Sequence, residues 1–252
     1  MKKLIILCVL SVMMSCGVST YYQIYKATPE GGVLTKEYVQ FEDNNCIVNY
    51  DLWSNGGYID FYVFNKTDND LTVDLTKSFF AMNGESVQYF QNRVFSNSTN
   101  YGTTVSKSYY SNSYWSKSVS KLSATSSSIS YNEKPELIIP PKTRSNISIY
   151  NVTDERYINC DLADFPSSRD NEVLKFDKTN SPFIFNNIIT YSANGMVNRF
   201  DNKFYVSEIA NYSSSNVKVL ISVTECGKHL EYPYSAFKDV SPDKFYIKYT
   251  NQ

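Results

Sequence analysis

Apolar and polar side chains alternate with a period of two on both sides of a polar run in residues 58–75. The alternating apolar positions are Ile59, Phe61 and Val63 before the run NKTDND, and Leu71, Val73 and Leu75 after it. Such alternation is typical of β-strands with one buried face. The segment therefore predicts two strands joined by a turn of several residues, as in a β-hairpin.

Similar strand–turn–strand patterns occur along the rest of the chain. Asn83-Gly84 lies within SFFAMNGESVQYF, and this dipeptide favours a tight hairpin because both residues accept a positive φ. Residues 135–152 and 203–223 repeat the pattern, and KFYIKYT at 244–250 is typical of a closing strand. We expect strands near 59–64, 71–76, 136–140, 147–151, 203–210, 217–223 and 244–249.

Helix signals are weak throughout the sequence. No segment of ten or more residues has a clear 3.6-residue period, although RDNEVLKFD at 169–177 could form one or two turns. The 22 tyrosines and 15 phenylalanines favour a β-rich fold, since aromatic side chains pack well on a pleated sheet. We therefore predict an all-β fold, an antiparallel Ig-like β-sandwich. Residues 16–252 would form one elaborated domain, or two small β modules at about 22–155 and 156–252.

Residues 96–131 interrupt the alternation with a long Ser/Tyr-rich stretch. Fourteen of its residues are serine and none is acidic, so little aliphatic surface is available for burial. The stretch predicts a low-complexity loop inserted between strands. It could be a mobile, variable insertion or a recognition loop, because serine and tyrosine are common in adaptable binding loops. A recognition loop would use its aromatic side chains as anchors: Tyr109, Tyr110, Tyr114 and Trp115.

The N-terminus has the features of a bacterial export signal. Two lysines precede an apolar run at residues 4–14, which is too short to span a bilayer as a helix. Ser15-Cys16-Gly17 follows and resembles the lipobox of bacterial lipoproteins. Residues 1–15 are therefore predicted to be a lipoprotein signal peptide and Cys16 to be lipidated, which would anchor the chain to a membrane. The alternative is an ordinary signal peptide cut near Ser15.

The predicted N-terminal signal also affects the expected charge and location of the mature chain. The net charge is −1, and loss of the two leader lysines makes the chain more acidic, so no nucleic-acid partner is expected. Residues 17–21, GVSTY, lack the acidic run that resembles a surface-export signal in Bacteroidetes lipoproteins. We expect attachment to the bacterial outer membrane on its periplasmic side, with surface exposure as the alternative.

Three cysteines remain once Cys16 and the leader are set aside: Cys46, Cys160 and Cys226. An odd number allows one disulfide at most and leaves a free thiol. We expect a Cys160–Cys226 bridge. Cys46 lies in the alternating segment NNCIVNY, which favours an inward-facing core cysteine that keeps its thiol.

Candidate catalytic groups are sparse, so we expect no enzyme, no cofactor and no metal. His229 is the single histidine, and its proximity to Cys226 has no supporting nucleophile signature. Asp68 and Asp70 are explained by a turn without calcium. The carboxylates of a glycosidase are placed by the fold and not by a local motif, so a carboxylate-based hydrolase of envelope glycans stays an alternative.

Several short motifs in residues 49–93 resemble uncharacterised lipoproteins of Bacteroides and relatives. They are Leu52-Trp53, Gly56-Gly57, Asn65-Lys66-Thr67-Asp68, Phe79-Phe80, Asn83-Gly84 and Tyr89-Phe90-x-Asn92-Arg93. The likeness covers about half of the mature chain. It implies export and an Ig-like β fold, and it carries no activity.

The first hypothesis for function is an exported, lipid-anchored module that binds a protein or glycan partner without catalysis. Its motivation is the anchor signal, the β-rich pattern and the Ser/Tyr-rich loop. The alternatives are the envelope glycan hydrolase and a lipoprotein that excludes phage or toxins.

Overall fold

The protein is mostly antiparallel β-structure in a computed structural model that describes residues 18–98, 128–169, 172–222, 224–225, 228–229 and 233–251. The twenty strands are β1 (Thr20–Glu30), β2 (Val33–Leu34), β3 (Val39–Glu42), β4 (Cys46–Asp51), β5 (Tyr58–Asn65), β6 (Leu71–Asp74), β7 (Phe79–Met82), β8 (Glu85–Gln88), β9 (Val94–Ser98), β10 (Ser128–Asn132), β11 (Glu136–Ile139), β12 (Arg144–Asn151), β13 (Val173–Lys175), β14 (Ile184–Ala193), β15 (Met196–Ser213), β16 (Lys218–Ile221), β17 (Thr224–Glu225), β18 (Lys228–His229), β19 (Tyr234–Phe237) and β20 (Lys244–Thr250). A 3₁₀ helix (Leu75–Lys77) and α1 (Ser214–Val217) are the described helices.

Two large sheets contain most of these strands. The first has nine strands in the order β11-β6-β14-β15-β1-β20, with β13 paired to β15 and the β7–β8 hairpin paired to β14. The second has five strands in the order β12-β5-β4-β3-β2. All of these neighbours are antiparallel, and each of the seven segments predicted from alternation contains a strand.

The hairpin predicted at Asn83-Gly84 is confirmed, since β7 pairs with β8 across this turn. Asn83 and Gly84 have φ of 48° and 88°, and a turn with two positive φ values suits the twist of a two-residue hairpin.

The hairpin predicted for residues 58–75 is wrong, because β5 and β6 belong to different sheets. Both strands bury their alternating apolar side chains in the shared core, so alternation fixed the buried face but not the partner strand. Buried Asn65 turns the chain from one sheet to the other: its Nδ2 donates to the carbonyls of Ile139 (2.9 Å) and Asn69 (2.7 Å). Residues 135–152 cross between the sheets in the same way, with β11 beside β6 and β12 beside β5.

Two other sequence predictions need correction. Residues 203–223 are not a hairpin, because β15 continues to Ser213 beside β1, and β16 pairs with β19 instead. The proposed helical turns in RDNEVLKFD are replaced by β13, which pairs with β15. The structure of both segments is determined by pairing with strands that are distant in sequence, and local patterns do not identify those strands.

The core between the sheets is rich in aromatic rings. Tyr50 of β4 lies 5.3 Å from Phe204 of β15, and Phe204 stacks on Phe185 of β14 at 5.0 Å. The Tyr50 hydroxyl accepts hydrogen bonds of 2.7 Å from the Nδ2 atoms of Asn187 and Asn202. These three side chains are buried, so a polar link joins the sheets inside an apolar core.

The loop that follows β12 is held to the first sheet by a second buried network. Gln23 of β1 donates from Nε2 to the Tyr157 carbonyl at 2.9 Å, and its Oε1 accepts from the Tyr157 N–H at 2.7 Å. The Nδ2 of Asn211 donates to the Ala163 carbonyl at 2.9 Å. Residues 157–163 are therefore fixed against β1 and its neighbour β15.

The predicted insertion is longer than the part that the structure describes. Its first and last residues belong to a two-stranded ribbon, in which β9 pairs with β10 from Val94–Asn132 to Ser98–Ser128. Residues 99–127 lie outside the described residues. No helix in the described part of the chain is long and apolar enough to cross a membrane.

Candidate functional site

An open groove of about 490 Å³ crosses the outer face of the five-stranded sheet. It is lined by Ile47 and Asn49 of β4, Tyr62 and Phe64 of β5, and Lys142, Thr143 and Arg144 at the start of β12. Successive side chains of a strand point to opposite faces, so the neighbours Val48 and Val63 are buried in the core while these residues face outward. We name these seven residues the groove.

The ladder between β4 and β5 places the groove residues side by side. Asn49 lies opposite Tyr62, and Ile47 lies opposite Phe64. Arg144 lies opposite Phe64 on the other flank of β5. Directly opposed residues on one sheet face have neighbouring Cβ atoms, so these five side chains form one continuous surface.

Asn49 carries the most informative atom of the groove. Its side chain is only 9% exposed, and its Oδ1 accepts no hydrogen bond from any described residue. Buried polar atoms in folded proteins almost always have a partner, because leaving one unpaired costs roughly 1–3 kcal/mol. Oδ1 is enclosed, so a hydroxyl or amide donor of a ligand would reach it once the Asn49 side chain turns into the groove.

Tyr62 is the aromatic centre of the groove. The Arg144 guanidinium lies over its ring at 4.8 Å from the centroid, and the Tyr38 ring meets it edge-on at 5.1 Å. Burial raises the pKa of the Tyr62 hydroxyl, with a further increase from Tyr38 and a smaller opposing effect from Asn49. The hydroxyl therefore stays protonated and can donate a hydrogen bond at neutral pH.

Two cations border the groove. The Lys142 ammonium lies 3.0 Å from the exposed carboxylate of Asp68 and donates to the Lys66 carbonyl at 2.6 Å. Among the described residues, no carboxylate lies within ion-pair distance of the Arg144 guanidinium. An arginine stacked on an aromatic ring with free donors is well placed to bind a carboxylate through two hydrogen bonds.

The turn that presents Arg144 is fixed by local hydrogen bonds. Pro140 and Pro141 end β11, since proline cannot donate to a sheet ladder. The Thr143 hydroxyl donates to the Pro140 carbonyl at 2.8 Å, and Lys142 adopts a positive φ of 58°. The Asn65 N–H then donates to the Thr143 carbonyl at 2.9 Å, which joins this turn to β5.

Two acidic residues lie beside the groove on the outer face of the same sheet. Asp51 of β4 lies directly opposite Asp60 of β5. Asp60 Oδ1 is buried and accepts no hydrogen bond from the described residues, while Asp51 Oδ1 accepts from the Trp53 N–H at 3.0 Å. Asp51 and Asp60 are each two residues, or about 7 Å along the strand, from Asn49 and Tyr62, so this pair borders the groove.

The groove lies on the second sheet and is linked to both ends of the long strands of the first sheet. Lys142 contacts Asp68, and the Nδ2 of Asn69 donates at 3.0 Å to Asn194 in the turn between β14 and β15. In the other direction, Asn49 is four residues, or about 13 Å along the chain, from Trp53. The Trp53 ring lies 5.3 Å from that of Tyr246 in β20, and β20 pairs with the start of β1.

The described residues that line the groove include none of those predicted from sequence as functional. Cys16, Cys226 and the four aromatic anchors Tyr109, Tyr110, Tyr114 and Trp115 lie outside the described residues. Cys160 is exposed in the loop after β12. The lipidation, the Cys160–Cys226 bridge and the recognition loop therefore stay predictions.

The hairpin turn expected around Asp68 and Asp70 is instead a bend between the two sheets, and the side chain that bonds its backbone is that of Asn65. Asn65 Oδ1 accepts from the Thr67 N–H at 2.9 Å, which is a turn closed by an asparagine side chain. Within the described ranges, no group of three or more histidine, cysteine or acidic residues is arranged to hold a metal ion. His229 lies in β18.

Cys46 is buried, as the alternation around it predicts. Burial raises the pKa of its thiol from 9.0 to about 12, and the charge of Asp43 adds to this increase. We expect alkylating reagents at pH 8, after mild reduction of any Cys160–Cys226 bridge, to modify exposed Cys160 and to leave Cys46 unmodified, because the thiolate is the reactive form. Peptide mapping by mass spectrometry after native labelling measures this difference. Equal labelling of the two cysteines would contradict it.

The same thiol gives a pH dependence. A folded pKa above the unfolded pKa means that the buried thiol contributes its full stability below pH 9 and loses this contribution as the pH rises toward 12. Urea unfolding at pH 8 and pH 11 should show a smaller decrease in stability for Cys46→Ala than for the wild type. An identical decrease in both proteins would show that the thiol does not contribute.

The groove was missed in the sequence because its signal is subtle. Ile47, Tyr62 and Phe64 are apolar or aromatic residues at positions that the alternation assigns to the solvent face. Large apolar side chains on the polar face of a strand could have indicated a binding surface. The contribution of Arg144 depends on the β5–β12 pairing, which no local pattern predicts.

Comparison with known proteins adds no assignment to this geometry. No family model matches the chain, and no curated protein or solved structure matches it either. The resemblance to Bacteroides-type lipoproteins therefore stays a prediction. The functional interpretation rests on the groove and on the N-terminal sequence.

Proposed function

We propose that this chain is an exported cell-envelope protein, lipid-anchored at Cys16 to the periplasmic side of the outer membrane, that binds a glycan without catalysis. The observation that carries the binding proposal is the buried, unpartnered Oδ1 of Asn49 in a groove that also holds Tyr62 and Arg144. Binding sites typically combine apolar and aromatic walls with a few convergent polar groups, as this groove does.

The composition of the groove favours a glycan that carries a carboxylate. Tyr62 and Phe64 supply flat apolar surface for a sugar ring, and Asn49 supplies an acceptor for a sugar hydroxyl. Arg144 and Lys142 supply positive charge at one side, which complements an acidic sugar. A protein partner would need a larger complementary surface than this groove offers.

The fold that presents the groove is, in this proposal, an Ig-like sandwich. The two sheets share one core, and the polar link from Tyr50 to Asn187 and Asn202 joins them. In sandwiches of this kind, outer sheet faces and loops carry recognition while the core keeps the sheets rigid.

A hydrolase is the second candidate, and Asp51 opposite Asp60 is the observation that favours it. Two carboxylates on one face are the minimum for glycoside hydrolysis. The pair lies about 7 Å along the strands from Asn49 and Tyr62. However, Asp60 Oδ1 is buried and Asp51 Oδ1 already accepts from the Trp53 N–H, so neither carboxylate is fully available to a sugar in the groove. We therefore favour binding over hydrolysis. The remaining alternative is a lipoprotein that excludes phage or toxins, and no described residue favours it.

A titration tests the groove. We expect isothermal titration calorimetry to show that the mature chain binds trigalacturonic acid and binds its neutral methyl ester at least tenfold more weakly. Arg144→Ala should lower affinity for the acid about 10- to 100-fold, because a charged hydrogen bond contributes roughly 1.5–3 kcal/mol. Product analysis of the same mixture reports any hydrolysis.

Arg199→Ala is the matched control, since Arg199 is also exposed but lies on β15 in the other sheet. It should leave the affinity unchanged. Equal affinities for the acid and its ester, or equal effects of the two arginine substitutions, would contradict a carboxylate site at Arg144. Release of shorter sugars would favour the hydrolase.

A further inference from the structure

A short hairpin formed by β16 and β19 exposes apolar side chains on the molecular surface. Leu220 is 68% exposed, Tyr234 is 51% exposed and Val219 is 42% exposed. Val219 lies opposite Ala236, and Ile221 lies opposite Tyr234. We name Lys218–Ile221 with Tyr234–Phe237 the hairpin arm. Val219 and Tyr234 lie on one face of this ribbon and Leu220 on the other, so apolar side chains are exposed on both faces. Apolar side chains exposed on both faces are unusual on a surface that contacts only water.

The base of the hairpin arm is fixed to the first sheet. The Phe237 ring lies 5.1 Å from Tyr22 of β1 and 4.9 Å from Trp53, in edge-to-face geometry. The Lys218 ammonium lies 4.7 Å from the Phe237 ring centroid. The exposed residues therefore project from a rigid base.

The hairpin arm lies close to the proposed anchor. Tyr22, which contacts its base, is six residues after Cys16. Six residues of fully extended chain span at most about 20 Å. If Cys16 carries lipid, the base of the arm must lie within this distance of the membrane surface.

Other exposed apolar side chains occur at the same end of the molecule. Val18, two residues after Cys16, is 70% exposed. Phe165 is 49% exposed, and its ring lies 5.2 Å from that of Tyr21. The apolar surface at this end therefore extends beyond the hairpin arm and surrounds the start of β1.

Several lysines lie at or near the base of the arm. Lys218 is its first residue, Lys238 directly follows it, and Lys248 lies opposite Tyr22 in the ladder between β1 and β20. The nearby Asp239 carboxylate lies 2.5 Å from the Lys244 ammonium and is thereby neutralised. A lysine-flanked apolar surface complements a leaflet that contains anionic phospholipid.

We propose that the hairpin arm is a second membrane contact, which places Val219, Leu220 and Tyr234 at the boundary between headgroups and acyl chains of an anionic phospholipid leaflet. This inference rests on the proposed lipid anchor, because the anchor is what identifies the surface facing the arm as a lipid leaflet. The two contacts together hold the start of β1 against the membrane.

Vesicle flotation of the mature chain with Cys16→Ala tests the arm without the lipid. We expect reversible binding to vesicles of phosphatidylethanolamine and phosphatidylglycerol at 3:1, and at least fivefold weaker binding to phosphatidylcholine vesicles. The double substitution Leu220→Ser, Tyr234→Ser should lower binding about tenfold, because the substituted side chains bury little apolar surface. Met196→Ser, Val197→Ser is the matched control, since these residues are 65% and 75% exposed at the distal turn.

A second variant reports insertion directly. Trp53 and Trp115 also emit, so the spectrum of Tyr234→Trp is compared with that of the wild type. The difference emission should shift to shorter wavelength with the anionic vesicles, as it does when an indole enters the bilayer interface. The arm proposal would be overturned if the chain did not bind vesicles or bound both vesicle types equally. Equal effects of the two double variants, or an unshifted emission, would also overturn it. Incorporation of labelled palmitate at Cys16 in a bacterial host is scored separately, so failure of the anchor is distinguished from failure of the arm.

Discussion

Gly57→Ala should destabilise the protein by about 2–5 kcal/mol. Gly57 has a φ of +64°, a left-handed conformation that costs a residue with a Cβ roughly 1–2 kcal/mol. A Cβ at this position would also lie 2.7 Å from Cγ of Phe245, which is fully buried. Overpacking of this kind adds about 1–3 kcal/mol, because the ring has no free space to enter. Urea denaturation followed by fluorescence measures the loss.

Gly84→Ala separates the two contributions. Gly84 also has a left-handed φ, of +88°, but no atom lies within 4 Å of the position of an added Cβ. We expect a loss of about 1–2 kcal/mol from the backbone conformation alone. Equal losses for the two variants would show that the contact between Gly57 and Phe245 does not limit substitution.

Tyr50→Phe should lower the free energy of unfolding by about 2–5 kcal/mol. The change removes the hydroxyl that accepts both amide donors of Asn187 and Asn202, and all three side chains are at least 98% buried. Each donor left without a partner costs roughly 1–3 kcal/mol. For a chain of this size the midpoint of thermal unfolding should fall by about 5–15 °C. Differential scanning calorimetry measures the shift.

Tyr58→Phe is the matched control for this substitution. The Tyr58 hydroxyl is exposed and makes one long hydrogen bond, 3.4 Å from the Ser148 carbonyl, so its loss should change stability by less than about 0.5 kcal/mol. If Tyr50→Phe were as mild as Tyr58→Phe, water or a shifted side chain would have to satisfy Asn187 and Asn202. The proposed polar link between the sheets would then be wrong.

Local alternation was sufficient to locate strands but not to pair them. Ile59, Phe61 and Leu71 were correctly assigned to buried faces, because a period of two reports which side of a strand meets the core. The same period occurs whether two successive strands lie in one sheet or in two. The polar run between β5 and β6 therefore resembled a hairpin turn, although Asn65 directs the chain into the other sheet.

The buried polar groups could not be predicted for a related reason. Tyr50 precedes Asn187 and Asn202 by more than a hundred residues, and the three residues lie on three different strands. Only the folded sheets bring their side-chain atoms together. The groove has the same origin, since Arg144 reaches Tyr62 only through the pairing of β12 with β5. Hydrogen bonds and binding surfaces that depend on the pairing of distant strands therefore cannot be predicted from local sequence patterns.

The most direct test of the binding account is a map of backbone and side-chain amide shifts during titration with trigalacturonic acid. We predict that the ¹H–¹⁵N signals that move belong to Ile47–Asn49, Tyr62–Phe64 and Lys142–Arg144, and that the side-chain amide of Asn49 moves most. Asn49 should respond strongly because its unpartnered oxygen would gain a hydrogen bond. Shifts centred on Asp51 and Asp60, or no shifts in the groove at saturating ligand, would contradict the account.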